Sequence, residues 1–255
     1  DAQMPCITHL ENLETALEYA RTVFHRKPHI ILARMLNNLG NALSSKKSLE
    51  YLQEGKEMMD EILGPNHVHP TTLEILNNVG IIYLNNYGDF AKAFQFLQDA
   101  LRMNSVIYGD NSANHDTALI YENIAFTAKQ MGNLKQAKEY YTEAVKIRRK
   151  IRITKDSCDN FLDSLFCLNM ICGTLDKEDE ALKFLEEARE VAKVVDYKGW
   201  KVVVILHELT EKYINLESVV KSEICNEEAR EMARNLPEND SPPHSLFELI
   251  ESLKN

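Results

Sequence analysis

Glycine and proline are scarce here, nine and seven residues among 255, and Val, Ile and Thr nowhere alternate over several positions. Both absences argue against sheets and leave an all-α chain as the expectation. Long apolar runs are also missing: the longest, Val202 to Leu206, is far short of the roughly 20 residues of a membrane-crossing helix. A cationic excess is absent too, with 29 Lys and Arg against 39 Asp and Glu and a net charge of −10. Nucleic acid and anionic membranes select a positive footprint, so neither is expected as a partner. Five cysteines (Cys6, Cys158, Cys167, Cys172, Cys225) form no Cys-x-x-Cys pair and no even framework, and read as free thiols of a reducing, cytoplasmic setting. The chain opens Asp1-Ala2-Gln3, without methionine or signal sequence, as expected of a piece of a longer polypeptide.

Catalytic patterns are missing as well. There is no phosphate-cradling Gly-x-x-x-x-Gly-Lys-Ser/Thr, no Gly-x-Gly-x-x-Gly, no His-Glu-x-x-His and no Gly-x-Ser-x-Gly. No enzyme activity, cofactor or small-molecule substrate is expected. His67, His69 and His115 are the best metal candidates. Cys167 and Cys172 lie five apart, roughly 140° around a helix, which does not converge two thiolates on one ion. Glu186-Glu187 and Glu227-Glu228 are consecutive on helices and point apart, as solvated faces do.

What is present is period. In Leu76 to Ala100, Leu76, Val79, Gly80 and Tyr83 recur at i, i+3, i+4 and i+7, then Ala93, Leu97 and Ala100 do likewise, with a breaker at Asn86-Tyr87-Gly88-Asp89. Two amphipathic helices back to back are implied, with small residues where their backbones approach. The pattern returns at Leu36–Leu43, Glu122–Ala144, Cys167–Ala188 and Glu208–Ala229. Its register residues are Gly40, Gly80, Ala125, Asn169 and Thr210, spaced 40, 45, 44 and 41 apart. Such a period belongs to a solenoid.

On Gly80, Tyr83, Ala93 and Ala100, and again on Ala125, Gly132, Ala137, Tyr141 and Ala144, the sequence resembles the tetratricopeptide repeat family. The Asn-Asn pairs and the connector from Leu63 to Pro70 are similar to the subclass found in kinesin light chains, and similar repeats form the sensor arm of multidomain signalling ATPases. The fold implied is a right-handed α-solenoid of about five helical hairpins spanning residues 1–255. An N-terminal capping helix (8–26) precedes repeats at 31–64, 71–109, 116–155, 159–197 and 200–236, and a capping helix (244–254) follows the Glu238-Asn239-Asp240-Ser241-Pro242-Pro243 linker. In the subclass the connector histidines are turn chemistry rather than metal ligands. The fourth repeat departs from the family in carrying Asn169 and Cys172, and the first in its short Ser44-Ser45-Lys46-Lys47-Ser48 turn. Thr71 with Glu74 reads as a capping box, and Asp116 as the cap of the third repeat.

In a solenoid the first helix of each hairpin lines the inner wall, and residues just before the packed small position face the groove. These are Asn37 and Asn38 with Asn41 just after Gly40, then Asn77 and Asn78 with Glu74 about a turn earlier, then Glu122 and Asn123. Uncharged amides suit the backbone of an extended peptide, and the carboxylates favour a partner with basic residues. In the resembled family, asparagines at the places of Asn38, Asn78 and Asn123 hold the peptide backbone. The other reading is that these amides bridge neighbouring helices or hydrate the groove. The lysine with which related clamps grip acidic C-terminal tails is replaced by Asn37, which disfavours such a ligand. Later repeats place Phe166, Cys167, His207 and Glu208 at the matching points.

Lys146 to Lys155 concentrates charge of one sign. Arg148, Arg149, Lys150 and Arg152 either complement the dipole of a helix end or dock an acidic segment. The function expected is a non-catalytic adaptor or sensor arm that binds a peptide or protein segment, whether from a partner or from other domains of its parent chain. The alternative is a structural, autoinhibitory or self-associating scaffold.

Overall fold

The computed structural model describes residues 4–43, 46–110, 112–237 and 242–254. Ser44, Ser45, Asn111 and residues 238–241, all in expected connectors, lie outside the described residues, as do Asp1, Ala2, Gln3 and the side chain of Cys6. Among the described residues every regular element is helical: α1 (Met4–Val23), α2 (Ile30–Ala42), α3 (Lys46–Leu63), α4 (Pro70–Ile82), α5 (Phe90–Tyr108), α6 (His115–Gln130), α7 (Leu134–Lys150), α8 (Lys155–Thr174), α9 (Glu178–Val194), α10 (Trp200–Asn215), α11 (Val219–Arg234) and α12 (His244–Lys254). They form an all-α helical-repeat fold of solenoid type. Two compact units divide the chain, Asp1–Ala137 and Lys138–Asn255.

In the first unit α2 pairs with α3 and α4 with α5, while α1 packs on α2, and α6 on α5. Its hairpins close where a glycine meets a leucine. A Cβ added at Gly40 would lie 2.7 Å from Leu52 Cγ, and one at Gly80 would lie 2.6 Å from Leu97 Cγ. Leu52 and Leu97 are fully buried. No larger residue fits there without parting the helices.

In the second unit α8 pairs with α9 and α10 with α11, and α12 covers α11 and part of α10 through buried Ile250 and Leu253. Ala181, Leu185 and Ala188 repeat the inward i, i+4, i+7 stripe of Ala93, Leu97 and Ala100. Asn169 and Cys172 occupy that unit's core, and Asn169 Oδ1 is buried without a hydrogen-bond partner among the described residues. Burial raises the Cys158, Cys172 and Cys225 thiols, Cys158 to about 11, and so makes them poor nucleophiles.

The helix starts differ from the expected capping box. Thr71 is buried inside α4, and His69 is the N-cap, its Nδ1 accepting from the Thr71 N–H at 3.1 Å. His29 caps α2 in the same way. Asp116 lies in the first turn of α6, whose cap is Asn114, Oδ1 accepting from the Thr117 N–H at 2.7 Å. Each of these caps precedes its repeat's register residue by eleven positions, as does Gly199 before Thr210. Thr154, the cap of α8, precedes Asn169 by fifteen. The fourth repeat therefore carries about one extra helical turn at its start. At the end of α4 the chain widens into a π-helical turn, Tyr83–Tyr87, which Gly88 closes at φ +63°. Only a residue tolerant of the left-handed region ends a helix there without strain.

Candidate functional site

The first unit gathers six of the expected groove residues around a cavity of about 250 Å³: Asn37, Asn38 and Asn41 from α2, with Glu74, Asn77 and Asn78 from α4. Tyr108, Asp116 and Leu119 also line it, with Pro70, Leu73 and Ile120. Glu122 and Asn123 are half-buried on α6 and do not line it.

The amides play two distinct roles. Asn37 is buried, donating through Nδ2 to Glu74 Oε2 at 3.1 Å and accepting at Oδ1 from Asn78 Nδ2 at 2.9 Å. Asn123 Nδ2 donates to Asn77 Oδ1 at 3.2 Å. The rule is positional: the residue three before the register residue in one repeat joins the residue two before it in the next. The ladder runs as far as the Asn-Asn signature does, since the fourth and fifth repeats carry Phe166-Cys167 and His207-Glu208 there. Asn38 and Asn41, by contrast, are exposed. Asn77 keeps its own Nδ2 donors, and Asn78 keeps Oδ1 and one donor.

Burial raises the pKa of Glu74, with nearby Asp116 adding to it, while Arg34 and His69 pull the other way. The fold holds the proton of Glu74 more tightly than the unfolded chain does, so its ionised form is a small liability at neutral pH that is relieved as pH falls through the raised pKa. Glu74→Gln keeps an acceptor for Asn37. Its melting temperature at neutral pH is expected to equal or slightly exceed that of the native chain, with the gap closing on acidification and in high salt. A thermal melt series across pH checks this.

In the second unit, charges tie the first helices together instead of amides. Lys201 of α10 bridges Asp159 and Asp163 of α8 at 2.6 and 2.7 Å, and Tyr197 also donates to Asp159. The basic run at the end of α7 is not one open patch. Arg148 falls on the inward stripe of Tyr141, Ala144 and Val145 and is only 3% exposed. Arg149 makes a two-pronged bond to Glu187 at 2.7 and 2.6 Å, leaving Lys150 and Arg152 exposed without that pairing. The sequence run missed this because charge density does not report which face a residue takes.

Of the connector histidines, His67 and His69 have structural roles, and His115 is the first residue of α6. His67 bonds Gly64 O at 2.8 Å and Thr72 Oγ1 at 2.6 Å, while His69 caps α4. No group of three His, Cys, Asp or Glu side chains among the described residues is placed to hold a metal ion, and no described helix is long and apolar enough to cross a membrane.

Residues 71–150 match the tetratricopeptide repeat family model. That stretch, from α4 to α7, carries the tetratricopeptide repeat pattern. Among solved structures it is similar to BtubC (BKLC) from P. vanneervenii, with TM-score 0.70, 18% identity, and 94% of this chain and 95% of that one covered. A Podosopora anserina protein of kinesin light chain type, with nearly identical TPR-like repeats, matches at TM-score 0.63 and 17% identity over 81% of this chain and 97% of that one. YrrB, a TPR protein described as having an unusual peptide-binding site, matches at 0.54 and 15% over 93% and 98%. At these identities the likeness carries the fold alone. No sequence among the curated proteins matches significantly. Tetratricopeptide repeats in general mediate protein–protein interaction, and proteins built of them are generally non-catalytic scaffolds.

Proposed function

We propose that the first unit binds an extended protein segment along the α2–α4 groove, with the amides of Asn38, Asn41 and Asn78 meeting its backbone and with no chemistry performed. The observation that carries this reading is the pairing of exposed amides with one cavity beside two carboxylates, Glu74 and Asp116. Side-chain amides offer donors and an acceptor of the kind a peptide backbone pairs with, without charge to desolvate. The carboxylates favour a lysine or arginine in the ligand. The unusual peptide-binding site of YrrB is consistent with this use of the fold. The segment would come from a partner or from another part of the parent chain, and the module would serve as adaptor or sensor arm.

The Asn37–Asn78 and Asn77–Asn123 bonds favour a second reading for those four residues, in which they hold successive hairpins together and the array is a scaffold. Selection from a random peptide library on the immobilised chain separates the two. Selected peptides are expected to be rich in Lys or Arg and to bind the Asn38→Ala/Asn41→Ala/Asn78→Ala variant at least about tenfold more weakly, roughly 1.4 kcal/mol. Failure to enrich any peptide, or equal binding by the variant at equal helicity, would leave the scaffold reading.

A further inference from the structure

The α10–α11 turn of the second unit is unusual in exposing aliphatic side chains. Ile214 is 60% exposed, Leu216 58%, Val219 62%, Val220 69% and Ile224 48%. The corresponding turn between α8 and α9 is Leu175-Asp176-Lys177, in which Leu175 is half-buried, and α9 begins Glu178-Asp179 where α11 begins Val219-Val220. On α11 the exposure has helical order. Val220, Glu223, Ile224 and Glu227 recur at i, i+3, i+4 and i+7 and are all exposed, while Ser222, Cys225, Ala229 and Ala233 form the buried stripe. α11 therefore buries one stripe in the hairpin and leaves two aliphatic side chains, Val220 and Ile224, open between glutamates on another.

A cavity of about 350 Å³ lies beside the open face, between α9 and α11, with Ile224, Tyr213, Glu186 and Glu190 in its wall. In its wall Glu186 and Glu190 balance Arg189 and Lys221, and the negative surplus lies beside it on α11, at Glu223 and Glu227. Arg189 is engaged by Glu228 in a two-pronged bond at 2.9 and 2.6 Å. Lys221 sits 5.0 Å over the Tyr213 ring and 3.9 Å from Glu186. Glu223 and Glu227 make no ion pair among the described residues, and Glu190 is exposed at the rim.

We propose that the α9–α11 face is a docking site for a basic amphipathic helix of a partner protein. Its aliphatic residues would cover Val220 and Ile224, and its lysines or arginines would meet Glu190, Glu223 and Glu227. Helix-in-groove recognition calls for an apolar stripe flanked by complementary charge, and this face supplies both. Charge also decides against a second copy of the chain as occupant: two faces with this acidic rim, each on a chain of net charge −10, repel when paired. The site is separate from the α2–α4 groove and needs none of its residues.

The test uses the full chain and a fluorescein-labelled helical peptide of about 18 residues, leucine at i, i+4 spacing and lysine elsewhere, long enough to form a helix on binding. Fluorescence anisotropy is expected to show binding that weakens with added salt and falls at least about tenfold in Val220→Ser/Ile224→Ser and in Glu190→Lys/Glu223→Lys. Tyr19→Ser/Val23→Ser, an equally exposed pair in the first unit, is expected to leave binding unchanged. The proposal is overturned by any of three results: no binding by the native chain, equal binding by the Val220/Ile224 variant, or equal binding of a peptide with glutamate in place of lysine. Sedimentation of the chain alone covers the remaining occupant: dimers dissolved by Val220→Ser/Ile224→Ser would make the face a self-interface and also overturn it.

Discussion

Leu97→Ala is expected to destabilise the first unit by about 2–5 kcal/mol, and toward the upper end of that range. Leu97 is fully buried in α5, and its Cγ rests against the backbone of Gly80 in α4. Removing three carbons opens a void whose far wall is main chain. Side chains can relax into a cavity, but a helix backbone fixed by its own hydrogen bonds moves only as a body, so the void persists. The same contact is open to attack from the other side. In Gly80→Ala the new methyl would meet Leu97 Cγ at 2.6 Å, and Ala93 O at 3.3 Å limits its escape. Overpacking of about 1–3 kcal/mol then outweighs the roughly 1 kcal/mol that alanine gains over glycine in a helix. Because the two changes share one space, the double variant is expected to lose less than the two single losses combined. Urea melts followed by far-UV circular dichroism give all three values. Equal stability of Leu97→Ala and the native chain would mean that α4 and α5 are not packed in this way.

A second large effect separates two neighbours that the sequence presents as equivalent. Asn37→Ala is expected to cost about 1–3 kcal/mol, since it leaves Glu74 and Asn78 without the partner at 3.1 and 2.9 Å. Both are partly hydrated, which holds the loss toward the lower part of that range. Asn38→Ala, at an exposed position of the same helix, is expected to change stability by no more than about 0.5 kcal/mol while weakening peptide binding. Thermal melts and peptide titrations on the same two variants make the comparison. If Asn38→Ala melted as early as Asn37→Ala, the division between structural and ligand-facing amides would be wrong.

Much of the fold was legible because the period is written in small residues. Gly40 and Gly80 mark close approach, and only a small residue tolerates it, so their spacing reports the repeat directly. The caps were less legible. Thr71 and Glu74 satisfy a capping-box pattern, but Thr71 is drawn inward by burial and the imidazole of His69 takes the role. The period held the missing signal: His29, His69 and Asn114 keep the spacing of Gly40, Gly80 and Ala125. The extra turn of α8 broke that spacing at Thr154 and concealed why the fourth repeat looks irregular.

At the groove, the sequence located the amides but could not divide them. Which of Asn37 and Asn38 turns inward depends on the rotation of α2 against α4, and one helical step of about 100° changes the answer. The basic run failed for the same reason, with Arg148 inward and Arg149 held by Glu187. The α11 face was not singled out because Val219, Val220 and Ile224 look like ordinary core residues until Ser222, Cys225 and Ala229 are seen to fill the buried stripe.

The most direct test of the central claim follows the side-chain amide NMR signals of the asparagines as a selected peptide is added to the full chain. The account predicts large shifts at Asn38, Asn41 and Asn78, no loss of the Asn77–Asn123 bond, and shifts at Glu74 when the peptide carries lysine. Peptide binding that leaves those three amides unmoved, with the changes falling elsewhere, would contradict it and remove the groove as the binding surface.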